Sequence, residues 1–409
     1  MATVALVGTL DTKGPDYAYL VERVRAHGAE VLVVDAGTGP PNGLVPDIDA
    51  AQIAAAAGTD TAELTAAGDR GAAVTAMGRG AAAVVGELVS AGRIDAILAA
   101  AGSGGSSIAA TVMAAVPVGL PKLLVSTMAS GDVSPYVGAK DVAIMYSVVD
   151  VAGVNRISRI VLDNAAAAAA GMAVAHADRA DSAGRDERPL VAASMFGVTT
   201  QAVEAAKARL EELGYEVLVF HATGAGGKAL EGLAEAGLLR GVLDMTTTEL
   251  ADDLVGGVLS AGPDRLTAAG RAGIPQVIGP GALDMVNFGP EETVPAQFAG
   301  RRFFVHNPTV TLMRTTTEEM AELGTRVGQK AAAATGPTEV FWPDRGVSAL
   351  DAEGQAFADP AADEACRTAL ADALESAGLE LHRVDAHLND PQFAVLMADS
   401  LHRLIEEAC

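Results

Sequence analysis

The sequence predicts an α/β protein of two domains with mainly parallel sheets. Short β-branched runs alternate with helical patterns along the whole chain, beginning with "TVALVG", "EVLVVDAG", "DAILAAAG", "KLLVSTM" and "VAIMYSV". Such alternation is typical of parallel sheets that are covered by helices. At 409 residues the chain is also too long for one ordinary core, which favours two domains.

A second set of strands follows a charged stretch. Its runs are "LVAASMFG", "EVLVFHATG", "GVLDMTT", "PQVIGPG", "RFFVHNP" and "TEVFWP". Between the two sets lies "HADRADSAGRDERP", residues 176–189, which lacks apolar periodicity and is therefore the predicted linker. We place the domains at residues 1–180 and 189–409. Residues 338–409 are predicted to form an acidic αβ extension that closes the second domain.

The two halves resemble each other. Residues 4–38 align without a gap with residues 190–224, so that strand, turn, helix, glycine and strand recur in register. A gapless register of this length favours duplication over the chance similarity of two α/β units. The first half has an additional Ala-rich helical insert, residues 48–92, between its second and third strands.

Composition excludes several classes of protein. A net charge of -24 repels nucleic-acid backbones and anionic membrane surfaces, so neither is expected as a partner. The two cysteines, Cys366 and Cys409, form no CxxC pair and no metal-ligand spacing with histidine. The N-terminus enters a strand directly, and we find no apolar run of the roughly 18–20 residues that a bilayer requires. We therefore expect a cytoplasmic protein with reduced thiols.

Small and polar residues end several predicted strands of the first half, in "GTLDTKGPD", "AGSGGSS" and "MASGDVSPYVG". The carboxyl ends of parallel strands meet at one edge of a sheet, where glycine N–H groups and helix N-termini can bind an anion. Threonine hydroxyls and a lysine suit phosphate oxygens, and an aspartate suits Mg²⁺. A tight turn without a ligand is the alternative. The candidate residues are Thr9, Asp11, Thr12, Lys13, Gly102, Ser103, Gly104, Gly105, Ser106, Ser107, Met128, Ser130, Gly131 and Asp132.

In the second half, "HATGAGGKALE" has a GxGxxA arrangement, with Asp244 twenty residues beyond Gly224. This arrangement imitates a dinucleotide-binding fingerprint, but it follows the second strand of its domain, where the fingerprint follows the first. Lys228 beside the glycines also suits a phosphate or carboxylate better. An NAD-dependent oxidoreductase is therefore the weaker alternative.

Further polar residues at strand ends of the second half are candidates for chemistry. His221 could act as a general base and Lys228 could bind an anion, with Asp244 as a third catalytic candidate. In the structural alternative, Lys228 pairs with Glu231 on an exposed face and His221 is buried against a backbone carbonyl. The candidate substrate-binding residues are Thr223, Gly226, Gly227, Glu231, Thr247, Asn287 and His306.

The order of "GTLDTKG", "AGSGGSS", "MASGDVSPYVG", "HATGAGGKALE" and "GPGALDMVNFG" resembles the poorly characterised family that includes the N-terminal ATP-binding part of the plant tobamovirus-resistance protein. The resemblance covers nearly the whole chain. It implies two tandem Rossmann-like domains, ATP in the first, and self-association. ATP phosphates would then lie at "AGSGGSS", opposite Thr9 to Lys13, with Asp11 or Asp132 near Mg²⁺. In the plant relatives a TIM-barrel-like part follows, so a separate protein of that kind is an expected partner.

Two function classes remain open. The first is an ATP-using enzyme, of the kinase or ligase class, that acts on a small carboxylated or hydroxylated metabolite held between the domains. The second is a non-catalytic module in which ATP stabilises a conformation or an oligomer. The polar cluster of the second half favours the enzyme. The small side chains of the insert, together with the resemblance, predict a homo-oligomer.

Overall fold

The computed structural model describes residues 1–182 and 188–408. The chain divides into two compact units, Met1–Arg185 (unit 1) and Asp186–Cys409 (unit 2). The predicted linker begins too early, because residues 176–182 continue a long helix of unit 1. Residues 183–187 of that predicted linker lie outside the described residues.

Unit 1 contains one parallel sheet with the strand order β2-β1-β3-β4-β5. Its strands are β1 (Thr3–Gly8), β2 (Glu30–Asp35), β3 (Ala96–Ala101), β4 (Lys122–Ser126) and β5 (Val142–Tyr146). Its helices are α1 (Leu10–Ala26), α2 (Ala50–Ala56), α3 (Thr61–Ala67), α4 (Arg70–Ser90), α5 (Ser103–Ala115), α6 (Ser134–Val137) and α7 (Arg156–Ser182).

Both faces of this sheet are covered, which is why its central strands are almost wholly apolar. Successive side chains of β1 point to opposite faces. Val4 and Leu6 pack with α1 and α7, whereas Ala5 and Val7 pack with α2, α4 and α5. The insert is therefore part of the unit 1 core and covers one face of the sheet. Oligomerisation through the insert stays a prediction.

Two helices of unit 1, α4 over its whole length and α7 over Arg156–Arg179, are long and apolar enough to span a bilayer by length and composition alone. The sequence pattern predicted no run of this kind. Both helices contribute buried side chains to the core of unit 1, such as Met77 and Val85 of α4 and Leu162 of α7. Core helices of soluble proteins pass the same test, so this observation carries little weight.

Unit 2 contains a six-stranded parallel sheet with the order β14-β13-β9-β8-β6-β7 and a three-stranded antiparallel sheet with the order β10-β12-β11. Its strands are β6 (Leu190–Met195), β7 (Glu216–His221), β8 (Gly241–Thr246), β9 (Gln276–Gly281), β10 (Met285–Phe288), β11 (Phe303–Asn307), β12 (Val310–Arg314), β13 (Thr338–Pro343) and β14 (Leu381–Val384). Its helices are α8 (Thr200–Glu212), α9 (Ala225–Glu235), α10 (Glu249–Val255), α11 (Ala268–Arg271), α12 (Thr317–Ala332), α13 (Pro360–Glu375) and α14 (Pro391–Glu407).

The predicted α/β class with two large parallel sheets is confirmed. The C-terminal extension supplies β13 and β14, which continue the sheet of unit 2 beyond β9. The run "RFFVHNP" departs from the expectation of parallel pairing. Its strand, β11, pairs antiparallel with β12 in the small sheet, because a short hairpin connection brings the two strands back alongside each other.

In both units the first and third strands separate towards their carboxyl ends, and a side-chain hydroxyl bridges the gap. In unit 1 the Tyr17 hydroxyl donates to the Val7 carbonyl at 2.5 Å and accepts from the Ala100 N–H at 3.0 Å. In unit 2 the Ser194 hydroxyl accepts from the Thr246 N–H at 2.9 Å. Sheets of this strand order bind ligands where the first and third strands diverge. The candidate sites are therefore the carboxyl ends of β1 and β3 and of β6 and β8.

Candidate functional site

A cavity of about 700 Å³ lies at the carboxyl ends of the unit 1 strands. Its volume is within the range of small-molecule sites. Its lining comes from the ends of β1 to β4, the starts of α1 and α5, and the insert. The predicted residues among its lining are Thr9, Asp11, Thr12, Lys13, Gly102, Ser103, Gly104, Gly105 and Met128.

Two helices, α5 and α1, begin at this cavity. At the start of α5 the preceding residue, Gly102, has no side chain to offer as a cap. At the start of α1 the Thr9 hydroxyl bonds to the Thr12 hydroxyl at 2.9 Å and caps no N–H group, but the Leu10 N–H donates to Asp35 Oδ1 at 3.0 Å. The first N–H groups of an α-helix have no partner within the helix, and they carry the positive end of its dipole. The start of α5 has no such carboxylate and faces the cavity, which suits an anionic ligand.

Asp11 holds the loop that follows β2 and keeps one oxygen unused. Its Oδ2 accepts from the N–H groups of Thr38 and Gly39 at 3.3 and 3.1 Å. Its Oδ1 is buried and has no hydrogen-bond partner among the described residues. A buried carboxylate oxygen without a partner is costly, so this atom could accept a ligand hydroxyl or hold a cation. The neighbouring Lys13 donates through its Nζ to the Val151 carbonyl.

The insert supplies a wall of the cavity that sequence reasoning missed. Leu64 of α3 and Val74 and Met77 of α4 are apolar parts of this wall, and Arg70 lies at the start of α4. The Ala-rich pattern of the insert indicated only a helix. Its position over the carboxyl ends of the strands follows from its packing on α5, which no local pattern specifies.

Five predicted residues of unit 1 lie outside the cavity lining. Ser106 is buried, and its Oγ lies 2.7 Å from the Ser126 Oγ. Ser107 is exposed and donates to the Ser103 carbonyl within α5. Ser130, Gly131 and Asp132 are exposed in the loop after β4.

The position of Asp132 gives no support to its predicted role as a metal ligand. It accepts from the Ser134 N–H at 2.9 Å, and hydrogen bonding to Ser134 lowers the pKa of the Asp132 carboxyl. Over residues 1–182 and 188–408, we find no group of three or more His, Cys, Asp and Glu side chains arranged to hold a metal ion.

In unit 2 a side chain of the protein itself occupies the glycine-rich turn. Glu249, the first residue of α10, accepts through Oε1 from the N–H groups of Gly224 at 2.6 Å and Gly227 at 3.1 Å. A Cβ atom at Gly227 would lie 2.2 Å from the Glu249 carboxylate, so only glycine fits there. The turn does bind an anion, but that anion is internal. A pyrophosphate would have to displace it.

Arg265 holds this carboxylate in place within a buried network. Its Nε donates to Glu249 Oε2 at 2.6 Å, its Nη1 to Glu231 Oε1 at 3.0 Å, and its Nη2 to Asp244 Oδ1 at 2.6 Å. The side chains of Arg265 and Glu249 are fully buried. The catalytic role predicted for Asp244 and the substrate role predicted for Glu231 gain no support, because both carboxylates are committed to this network. Arg265 itself lies in no recognisable motif, and no signal in the sequence indicates it.

The remaining predicted residues of unit 2 fall into two groups. His221 and Lys228 are exposed at the end of β7 and the first turn of α9, and His306 is exposed on β11 of the small sheet. The His221 ring packs against Phe196 with centroids 5.4 Å apart. The expected structural alternative does not form either, because Glu231 pairs with Arg265 and His221 is exposed.

The second group lies in the interior or supports the backbone. Thr247 donates to the Gly279 carbonyl at 3.1 Å, and Thr223 donates to the His221 carbonyl at 3.2 Å. A Cβ atom at Gly226 would lie 1.9 Å from the His221 carbonyl oxygen, so this glycine allows a close backbone approach.

Asn287, also in the interior, donates through Nδ2 to Asp252 Oδ2 at 2.6 Å. Burial raises the pKa of the Asp252 carboxyl to about 7. The substrate-binding roles predicted for Thr223, Gly226, Thr247 and Asn287 stay predictions without geometric support.

Residues 2–178 match the N-terminal domain, and residues 188–405 the C-terminal domain, of the uncharacterised protein family UPF0261. A UPF0261 protein of Clostridium tetani is 47% identical over 404 residues, which are 99% of each chain. The ToMV resistance protein Tm-1(GCR237) of Solanum lycopersicum is 42% identical over 306 residues, 74% of this chain and 41% of that protein.

The ToMV susceptible protein tm-1(GCR26) of the same plant is 36% identical over 419 residues, 97% of this chain and 55% of that protein. These matches confirm the resemblance that the order of the motifs indicated. The chain therefore belongs to the UPF0261 family.

Proposed function

We propose that unit 1 binds ATP together with Mg²⁺. The observation that carries this proposal is the uncapped start of α5, which faces a cavity of about 700 Å³ that Lys13 and Arg70 also line. Phosphate groups suit such a place, because the free N–H groups and the dipole of the helix attract negative charge. The apolar side chains Leu64, Val74 and Met77 offer a surface for the base. The family resemblance supplies the expectation that the nucleotide is ATP.

The charges of the lining favour a metal-bound polyphosphate. Lys13 and Arg70 are its cations, whereas Asp11, Asp69 and Asp150 are its carboxylates. A triphosphate alone would meet more negative than positive charge, so an accompanying divalent cation is needed. Asp11 suits that cation, since its Oδ1 is buried without a partner and Mg²⁺ prefers carboxylate oxygens. The ion would supply charge neutralisation of the phosphates.

Binding is tested by calorimetric titration of the full-length chain with ATP in the presence of Mg²⁺, and by thermal melting. At a ligand concentration 100 times Kd, linkage predicts a stabilisation of about 2.7 kcal/mol. Gly104→Val should remove most of it, because a Cβ at residue 104 would lie in ordinary contact with Arg70 and Val74 and the two methyl groups of valine would extend into the cavity. Gly86→Val on α4 is the control, since it makes the same substitution within a helix at an open position outside the lining. A wild-type chain that gives no binding signal with ATP contradicts the proposal.

A second candidate function is ATP-dependent turnover of a small carboxylated or hydroxylated metabolite by the whole chain. The exposed His221 and Lys228 support it, because both remain available to a ligand. The commitment of Asp244 to Arg265 weakens it. A screen for metabolite-dependent ATP hydrolysis, repeated with Lys228→Ala, separates this enzyme from an ATP-regulated oligomeric module that binds a TIM-barrel partner. Turnover that Lys228→Ala abolishes supports the enzyme.

A further inference from the structure

A small cavity of about 10 Å³ lies in unit 1 between α1, the loop after β5 and the first turn of α7. The side-chain oxygens of its lining belong to Asp16 of α1, Ser147 and Asp150 of the loop, and Ser158 of α7. The other lining residues are valines and a leucine. A cavity of this volume has room for about one water-sized particle. It is therefore too small for a nucleotide, although Asp150 also lines the cavity of about 700 Å³.

Two oxygens of this lining are buried and have no hydrogen-bond partner among residues 1–182 and 188–408. One is Oδ1 of the fully buried Asp16, and the other is Oγ of Ser147, which is 4% exposed. The second oxygen of Asp16, Oδ2, accepts from the Gly153 N–H at 3.0 Å. Buried polar atoms without a partner are costly. Two of them at one small cavity are therefore suited to a shared polar ligand.

The backbone holds Ser147 at this cavity through a strained turn. Val148 has a φ of +66°, in the left-handed region that β-branched residues rarely adopt. The Val149 N–H donates to the Ser147 carbonyl at 2.7 Å, so the three residues form a tight turn. Such strain persists only where the surrounding structure compensates for it. A ligand of the Ser147 hydroxyl supplies compensation of this kind.

The charge of Asp16 decides which class of ligand fits. Within the described part of the chain no ion pair includes this carboxylate. Lys13, one turn earlier on α1, donates to the Val151 carbonyl. Asp150 is exposed to solvent, so the lining contains one buried carboxylate. A buried carboxylate without a countercharge is unfavourable, and a single positive charge would balance it.

We propose that Asp16 Oδ1 and Ser147 Oγ bind one monovalent cation of about the size of Na⁺. Hard cations prefer carboxylate and hydroxyl oxygens, which are the donors present here. Ca²⁺ and Mg²⁺ fit less well, because they take more oxygen ligands than this cavity offers. The described residues also contain no group of three His, Cys, Asp or Glu side chains that could hold a metal ion. The cation joins α1 to the loop after β5, independently of any nucleotide.

The experiment compares the full-length wild type with Asp16→Asn and Ser147→Ala, in NaCl and in choline chloride of equal ionic strength and without nucleotide. Asparagine keeps the shape of the aspartate side chain and removes its charge. Asp35→Asn is the matched control, because Asp35 is also fully buried, has an oxygen without a partner in the described residues, and lies outside this cavity. The measurements are calorimetric melting and amide hydrogen exchange of residues 147–153.

At a Na⁺ concentration about ten times Kd, the unfolding constant of the wild type should be about tenfold lower than in choline. Exchange of residues 147–153 should be slower in Na⁺ as well. Both differences should disappear in Asp16→Asn, decrease in Ser147→Ala and persist in Asp35→Asn. Cs⁺ should have less effect than Na⁺, because the cavity is small.

Two results would overturn the cation site. One is a wild type with equal stability and equal exchange in Na⁺ and choline, which would leave a single water molecule between the two oxygens. The other is a Na⁺ effect that Asp16→Asn retains, which would place the effect elsewhere in the chain. Because no nucleotide is present, either result leaves the proposed ATP site untouched.

Discussion

The turn from β3 to α5 in unit 1 and the turn from β8 to α10 in unit 2 occupy the same place in sheets of the same strand order. In unit 1 the turn consists of glycine and serine and faces a cavity. In unit 2 the helix begins with Glu249, whose carboxylate accepts hydrogen bonds from the N–H groups of Gly224 and Gly227. The turn after β3 faces an open cavity, whereas the side chain that begins the helix after β8 fills the neighbouring glycine-rich turn after β7.

The difference teaches that topology creates an anion site and that side chains decide whether a ligand uses it. Both sheets bring the start of a helix to the point where their first and third strands diverge. In unit 2 that helix begins with Glu249, which Arg265 holds against the N–H groups of the neighbouring turn after β7. In unit 1 the corresponding helix α5 begins with Ser103 beside the insert, and the insert adds Arg70 and an apolar wall. A glycine-rich turn is therefore not sufficient evidence of a ligand site.

The largest expected effect comes from replacing Arg265, the cation that holds Glu249 in the glycine-rich turn. Arg265→Met leaves the carboxylates of Asp244, Glu249 and Glu231 without their shared countercharge in the interior, at an expected cost of about 3–5 kcal/mol in the free energy of unfolding. Urea unfolding followed by the fluorescence of Trp342, the single tryptophan, reports on unit 2. Arg271→Met, at an exposed ion pair with Glu235, should cost less than about 1 kcal/mol. A loss below about 1 kcal/mol for Arg265→Met would show that the network is not required for the stability of unit 2.

Replacing Glu249, the carboxylate that fills the same turn, should give the next largest effect. Glu249→Ala leaves the buried N–H groups of Gly224 and Gly227 without an acceptor, and we expect a loss of about 2–4 kcal/mol. Added acetate should restore part of that stability in Glu249→Ala and have no comparable effect on the wild type, because a carboxylate can then re-enter the vacated turn. The measurement is the Trp342 unfolding midpoint with and without acetate. Equal stabilisation of both proteins by acetate would contradict the comparison.

The hydroxyl bridge at the diverging strands of unit 1 should contribute less. Tyr17→Phe leaves the Val7 carbonyl and the Ala100 N–H without their partner in the core, so the expected loss is about 1–3 kcal/mol. Tyr19→Phe is the control, because Tyr19 is only half-buried, and its expected change is within about 0.5 kcal/mol. Calorimetry of both variants provides the measurement. Equal stability of the two variants would argue against the bridge.

The smallest effect is expected at Lys228. This residue is exposed, so Lys228→Ala should change the free energy of unfolding by less than about 0.5 kcal/mol and leave ATP affinity unchanged. Melting and calorimetric titration check both expectations. Weaker ATP binding in this variant would mean that unit 2 contributes to the nucleotide site, and the distinction between an open and a filled turn would then have to be revised.

Local patterns in the sequence predicted the parallel sheets because β-branched runs and amphipathic helices record burial directly. The glycine and serine run at residues 101–107 likewise predicted the open turn, since few other residues allow a backbone to approach a ligand so closely. The same kind of pattern at residues 221–231 predicted a ligand where the structure has Glu249. Local spacing records the shape of a turn and carries no information on which distant side chain fills it.

By itself, the sequence determined the α/β class, the two units, the family and the edge of the unit 1 sheet where the cavity lies. Only the tertiary structure decided that Arg265, from a loop without any motif, would meet three carboxylates, and that Arg70 of the insert would lie beside Gly104. The physical reason is the range of the interactions. Propensity and hydrophobic period act over a few residues, whereas a buried ion pair or a cavity wall joins segments that only the packing of the whole unit brings together.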